Sequence, residues 1–313
     1  MGSANTLGRG ATPTVRVRVP AKINLYLGVG QRRDDGYHDL VTVFQAVDLC
    51  DEVVVTEASG LRVRVSGDGA AGVPTGPDNL AWRAAELLAR RMQTAPHACI
   101  DVTKAIPVGG GMAGGSADAA ATLVGCAALW HTGSSRSELV ELAAEIGSDV
   151  AFCVLGGTAL GTSRGEVLTP VLSAGEFHWV LALADFAIST ATSYAELDRQ
   201  RASGATAAPP SVPDGMLDAL RAGDAAGLAA TLDNDLEPVA IALAPQLRRT
   251  LAAGRQLGAL AGIVSGSGPT CAFLCKDGAA AIALAAALTA EGVCRTTRTA
   301  TGPVAGARVI PPA

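Results

Sequence analysis

The feature that most constrains this chain is the segment Pro107-Val108-Gly109-Gly110-Gly111-Met112-Ala113-Gly114-Gly115-Ser116-Ala117. Five glycines fall within residues 109–115. A β-type run, Ala98 to Val102, precedes them, and an Ala-rich helical run follows from Ser116 to about Trp130. Glycine lets a backbone approach a ligand closely and turn its N–H groups inward. The N-terminus of the following helix adds about half a positive charge. A strand–loop–helix of this kind suits phosphate. No Gly-Lys-Ser/Thr closes it, so it is not a Walker A loop, and its glycines are too crowded for the dinucleotide fingerprint. A flexible linker does not stand between a strand and a strongly helical run. Ser116 falls where a helix N-cap or a metal-facing hydroxyl would sit. Asp118 reads as a first-turn acid that complements the helix dipole rather than as a catalytic group.

A polyanionic ligand must be met locally, because the net charge of the 313 residues is −5. That balance offers no general field for nucleic acid or for an anionic membrane, and aromatic residues, at 4%, are few for base stacking. The seven cysteines are odd in number and scattered through apolar runs. That argues against a disulfide framework and for a reducing, cytoplasmic compartment. Cys271 and Cys275 read as strand positions rather than zinc ligands, with no histidine near them. Residues 1–13 lack an apolar signal-peptide core. Met1-Gly2-Ser3-Ala4-Asn5-Thr6 fits a myristoylation pattern in letter, but no polybasic segment follows to supply a second anchor. Ala279–Ala290 is too short to span a bilayer.

The folded region begins near Thr14. Val15 to Val19 alternates as a strand, which continues to Leu27 past a break at Pro20. Further strands are expected at Val41–Val47, Glu52–Thr56 and Leu61–Val65. An amphipathic helix is expected from Asn79 to Met92, and another from Ser137 to Ile146, capped by Ser134 or Ser135. Val150–Leu155 and Thr158–Gly161 read as extended. A boundary is expected near 165–176, dividing the chain into domains at 14–170 and 171–302. In the second part, strands are expected at Trp179–Ala184, Ala261–Val264, Thr270–Cys275 and Val293–Thr299. Ser189–Leu197 reads as a loop entering a helix. Helices are expected at 214–222, 224–232, 245–257 and 277–290. Residues 201–214 read as a mobile surface loop. Strand runs followed by segregated helices indicate an α+β fold.

Four further motifs carry polar chemistry. Lys22 and Asn24, two apart in a strand, project to one side while Ile23 and Leu25 face the other. They lie on a solvent-facing edge or line a cavity. Asp149, in Gly147-Ser148-Asp149-Val150, is either a turn aspartate or a carboxylate able to orient a hydroxyl and take its proton. Ser265-Gly266-Ser267-Gly268-Pro269-Thr270 is a tight turn or a second loop where backbone meets ligand. Tyr37 and His38 follow the turn Asp34-Asp35-Gly36 and can read a base or a sugar. His97, His131 and His178 have no partner by spacing.

In this order, Pro20-Ala21-Lys22-Ile23-Asn24-Leu25, the Pro107–Ala121 loop and Ser265–Thr270 resemble the GHMP kinases, over about Val17 to Thr299. Arg33-Asp34-Asp35-Gly36-Tyr37-His38 and Gly147-Ser148-Asp149-Val150 are similar to the branch that acts on a cytidine-diphosphate-linked sugar alcohol. The resemblance implies a two-domain fold with its active site in the interdomain cleft, and ATP and Mg²⁺ as cofactors. Residues 107–117 would wrap the ATP phosphates. Lys22 and Asp149 would form the catalytic pair, with Asn24 as helper. Tyr37 and His38 would hold the cytidine end, and Thr190, Gly266 and Ser267 would approach the substrate. The protein would act as a monomer or weak homodimer, with no nucleic-acid or membrane partner. Sister kinases of homoserine or mevalonate type, and an inactive sensor of the same fold, are the alternatives. Two positions depart from the family. Ala113 replaces a common glycine, which implies strain of about 1 kcal/mol if its φ is positive. Ala151 replaces a common proline, expected to loosen a strand behind Asp149.

Overall fold

The computed structural model describes residues 12–202 and 209–311. The myristoylation-like residues 1–6, and residues 203–208 of the expected loop, lie outside them. The described strands are β1 (Thr14–Arg32), β2 (His38–Glu57), β3 (Arg62–Gly67), β4 (Ala98–Lys104), β5 (Thr158–Thr162), β6 (Val167–Pro170), β7 (Phe177–Leu183), β8 (Asp233–Asn234), β9 (Ala261–Val264), β10 (Cys271–Cys275), β11 (Thr296–Gly302) and β12 (Arg308–Ile310). The described helices are α1 (Leu80–Arg91), α2 (Gly114–Leu129), α3 (Arg136–Ala144), α4 (Ser148–Leu155), α5 (Thr190–Arg201), α6 (Met216–Ala222), α7 (Ala225–Ala229), α8 (Glu237–Leu243), α9 (Gln246–Gln256) and α10 (Gly278–Ala290).

Two sheets organise the chain. The first runs β12-β1-β2-β4-β3, with β5 on β2, β6 on β5 and β8 on β1. The second runs β11-β7-β10-β9, antiparallel throughout. Along β1 the alternation does its expected work: Val17, Val19, Ala21, Ile23 and Leu25 are fully buried on the core face. Pro20 does not break the strand. A register irregularity between Pro20 and Ala21 absorbs it, and the strand runs on through Lys22 and Asn24. Helix α2 packs against this sheet along most of its length. A Cβ at Gly125 would stand 3.2 Å from Val17 Cγ2, so glycine there permits a close helix–strand approach. Burial pushes the Cys126 thiol up to about 12, and all seven cysteines are free.

Several expectations are corrected. Val150–Leu155 is helical, not extended, and belongs to α4. An apolar run of this length has no period that separates a buried helix from a buried strand. Ala151 therefore lies within a helix, and no strand stands behind Asp149 to be loosened. Helix α2 opens earlier than expected, with Ala113 as its N-cap, so Ser116 is a residue inside the helix. In α3 the cap is Ser135, completed by Glu138 as a capping box. The chain does not end in its strand near residue 299. It continues to β12, which pairs with Arg16–Arg18 of β1.

Candidate active site

The two glycine loops and the polar face of β1 meet at a cleft of about 1080 Å³. Lys22 and Asn24 project from β1 as the period-2 reading requires, but they are buried, at 4% and 2% exposure, rather than on a solvent-facing edge. Lys22 Nζ donates to Asn24 Oδ1 at 2.7 Å. Asn24 Nδ2 donates to Thr42 Oγ1 at 2.8 Å, and that hydroxyl donates to the Tyr26 carbonyl at 2.7 Å. The chain of bonds fixes the amide and, through it, the ammonium. Lys22 Nζ also lies 3.7 Å from Asp149 Oδ2. Asp149 stands in the first turn of α4, where a carboxylate is favoured by the helix dipole. A third of its side chain remains open to the cleft.

The glycine loop closes the opposite wall. Gly109, Gly111 and Ala113 all adopt left-handed φ. The loop is tied to β1 by Lys22 N–H donating to the Met112 carbonyl at 3.3 Å. It is tied to the second loop by Ser265 Oγ donating to the Gly111 carbonyl at 3.2 Å and by Thr270 N–H donating to the Gly110 carbonyl at 3.3 Å. A Cβ at Gly266, whose φ is +56°, would lie 3.1 Å from Lys22 Nζ and 3.2 Å from Asn24 Oδ1. Glycine is thus needed there both for its backbone angle and for contact with the catalytic candidates. Gly109, Gly110, Gly111, Ala113, Gly114, Gly115 and Ser116 line the cleft. Pro107, Val108, Met112 and Ala117 do not: Pro107, Met112 and Ala117 are buried, and Val108 is exposed.

Tyr37 and His38 line the far end of the same cleft, and Thr190, Gly266 and Ser267 line it too, with Gly266 against Lys22 and Asn24. His38 is buried, stacks on Tyr194 at 5.1 Å and shares a 2.8 Å hydrogen bond between Nε2 and Asp198 Oδ1. Tyr37 is exposed, with the Arg164 guanidinium 5.0 Å from its ring centre. The Thr190 and Ser267 hydroxyls are 3.1 Å apart. Arg32, Arg164, Tyr194 and Asp198 also line this end, and none stands out in the sequence. Tyr194 and Asp198 sit four apart on α5, a helical spacing that a search for partners of His38 would have had to try against every helix.

Asp118 is not a solvated dipole partner. It is buried and ion-paired to Lys104 at 2.8 Å. Among the described residues no group of three or more His, Cys, Asp or Glu side chains is placed to hold a metal. No described helix is long and apolar enough to cross a membrane.

An ammonium, a carboxylate and a glycine-rich turn lie around one cleft, an arrangement that suits a phosphate held beside a hydroxyl. Residues 79–157 match the model of the GHMP kinases N terminal domain, and residues 216–294 match that of the GHMP kinases C terminal domain. The chain belongs to the GHMP kinases. It is 58% identical over 300 residues to the 4-diphosphocytidyl-2-C-methyl-D-erythritol kinase of Nocardia farcinica (strain IFM 10152), covering 95% of this chain and 97% of that one. It is 56% identical over 302 residues to the enzyme of the same name from Mycolicibacterium gilvum (strain PYR-GCK), covering 96% and 94%. Among solved structures it is similar to a 4-(cytidine 5'-diphospho)-2C-methyl-D-erythritol kinase, with a TM-score of 0.73 and 32% identity over 91% of this chain and 98% of that one.

Proposed function

We propose that this chain is an ATP-dependent cytoplasmic kinase that phosphorylates the C2 hydroxyl of 4-diphosphocytidyl-2-C-methyl-D-erythritol, in the non-mevalonate isoprenoid precursor pathway. The observation that carries the reading is the Lys22–Asp149 pair, 3.7 Å apart, facing the glycine loop across an open cleft. The free cysteines suit a reducing compartment.

In this reading the acceptor hydroxyl lies between Asp149 and the terminal phosphate. Asp149 orients it and takes its proton as the new bond forms. Lys22, steadied by Asn24, faces both the aspartate and the charge that grows on the transferred group. The glycine-loop N–H groups and the opening of α2 hold the nucleotide phosphates. Mg²⁺ in such sites binds through phosphates, waters and one or two protein oxygens; the Ser116 hydroxyl is a cleft-lining oxygen that fits it, and the ion would neutralise phosphate charge. At the other end Tyr37 and His38 receive the cytidine, with His38 oriented by Asp198, while Thr190, Gly266 and Ser267 border the sugar alcohol. A loose phosphoryl transition state leaves most of the acceleration to positioning and electrostatics.

Asp149→Ala is expected to lower kcat by at least about 100-fold with nearly unchanged ATP affinity. Coupled ADP-release kinetics on the cytidyl substrate measure both, and turnover near that of the wild type removes Asp149 from the chemistry.

A further inference from the structure

Lys104 ends β4, Asp51 lies in β2 and Asp118 in α2. Their side chains meet beneath the glycine loop at 1%, 0% and 4% exposure. None of the three lines the cleft. Lys104 Nζ donates to Asp51 Oδ2, to Asp118 Oδ2 at 2.8 Å and to the Gly114 carbonyl at 3.0 Å, which uses all three of its donors. Asp51 Oδ1 accepts the N–H groups of Ala105 and Ile106 at 2.6 and 2.8 Å. One carboxylate therefore fixes the entry to the loop, and one ammonium fixes its exit.

Gly114 carries the imprint of this arrangement. Its φ is not left-handed, so backbone angle does not demand glycine there. A Cβ at that position would stand 3.2 Å from both Lys104 Nζ and Ile106 Cγ2, so the missing side chain makes room for the ammonium and for Ile106. Stability alone accounts poorly for the network, because a buried ion cluster is often no more stabilising than apolar side chains of equal volume. Burial, and after it the charge of Asp51, push the Asp118 carboxyl up to about 8 against the pull of Lys104.

Resting on the kinase reading above, we propose that Lys104 is a positioning residue for nucleotide binding. By holding the Gly114 carbonyl from beneath, it sets the loop geometry that turns N–H groups toward the phosphates, without touching them.

The test is calorimetric titration of the full chain with ADP and, separately, with CDP. A wild type that fails to bind ADP removes the kinase reading itself rather than this inference. Lys104→Met is expected to weaken ADP binding at least about tenfold and to leave CDP binding within about twofold. Gly114→Ala, which crowds the ammonium, is expected to move ADP binding in the same direction. Unchanged ADP affinity in Lys104→Met, or equal loss of both ligands, overturns the proposal. If circular dichroism shows Lys104→Met unfolded, the triple variant Asp51→Asn, Lys104→Met, Asp118→Leu takes the same titrations, since it leaves no buried charge unpaired. Failure of that variant to fold assigns the cluster to stability alone and also overturns the proposal.

Discussion

Ala113 caps α2 at φ 61° and ψ 31°, the left-handed conformation in which a Cβ costs about 1–2 kcal/mol. Ala113→Gly relieves that strain, while the added freedom of the unfolded chain takes back about 0.4–1 kcal/mol. The expected net gain is about 0–1.6 kcal/mol, read as a higher urea midpoint at unchanged slope; a lower midpoint means the position is unstrained. The departure at residue 113 shows in the sequence only through the family resemblance, which puts a glycine there. Lys22, Asn24 and Asp149 were legible as site candidates in the same way, since their own residues also allow a solvent-facing edge and a turn aspartate. Asp198 was not. It lies 160 residues from His38, among other charged residues of α5, and only folding distinguishes it. Lys104 was hidden differently, since its local pattern does not show burial, while Asp118, set among alanines, has the sequence position of a first-turn acid.

The elements differ in how far pattern decides them. The cap of α3 was open between Ser134 and Ser135 until Glu138 completed the box on Ser135, while the alternation in β1 has one good solution and formed as the sequence indicates. Helix α4 did not, because its apolar residues and flanking glycines suit a short buried strand equally well. Its helical form puts Asp149 in a first turn beside Lys22. Where α2 crosses β2 and β4, the Asp118 carboxyl is raised to about 8 by burial and by Asp51, opposed by Lys104. A carboxyl raised on folding favours the folded state at low pH. Its contribution is complete below the ordinary carboxylate range, near 4, and is lost as pH climbs through about 8. Melting temperatures of the wild type are therefore expected to fall, relative to Asp118→Asn, between pH 5 and pH 8.5 (roughly the span between those two values). Parallel curves for the two proteins would show that Asp118 does not titrate in this way.

At the scale of the whole molecule, polar contacts join the two sheets, and one of them is buried between their central strands. Trp179 of β7 donates its indole N–H to Gln45 Oε1 of β2 at 3.0 Å, and the Gln45 amide in turn reaches Thr158 Oγ1 at 3.3 Å. Trp179→Phe removes the donor and leaves a buried amide oxygen unpaired. The expected loss is about 1–3 kcal/mol in chemical denaturation, and a loss no greater in Trp179→Phe with Gln45→Leu would assign it to that bond. Such long-range joints carry no sequence signature, and neither does β12. The pairing of β12 with Arg16–Arg18 has a consequence for biosynthesis. The outer edge of β1 leaves the ribosome before every other described element, and its partner at 308–310 leaves after all of them. Through that interval the edge lacks its neighbour, and the arginines at 16 and 18 lend it the charge that discourages adhesion to other nascent chains.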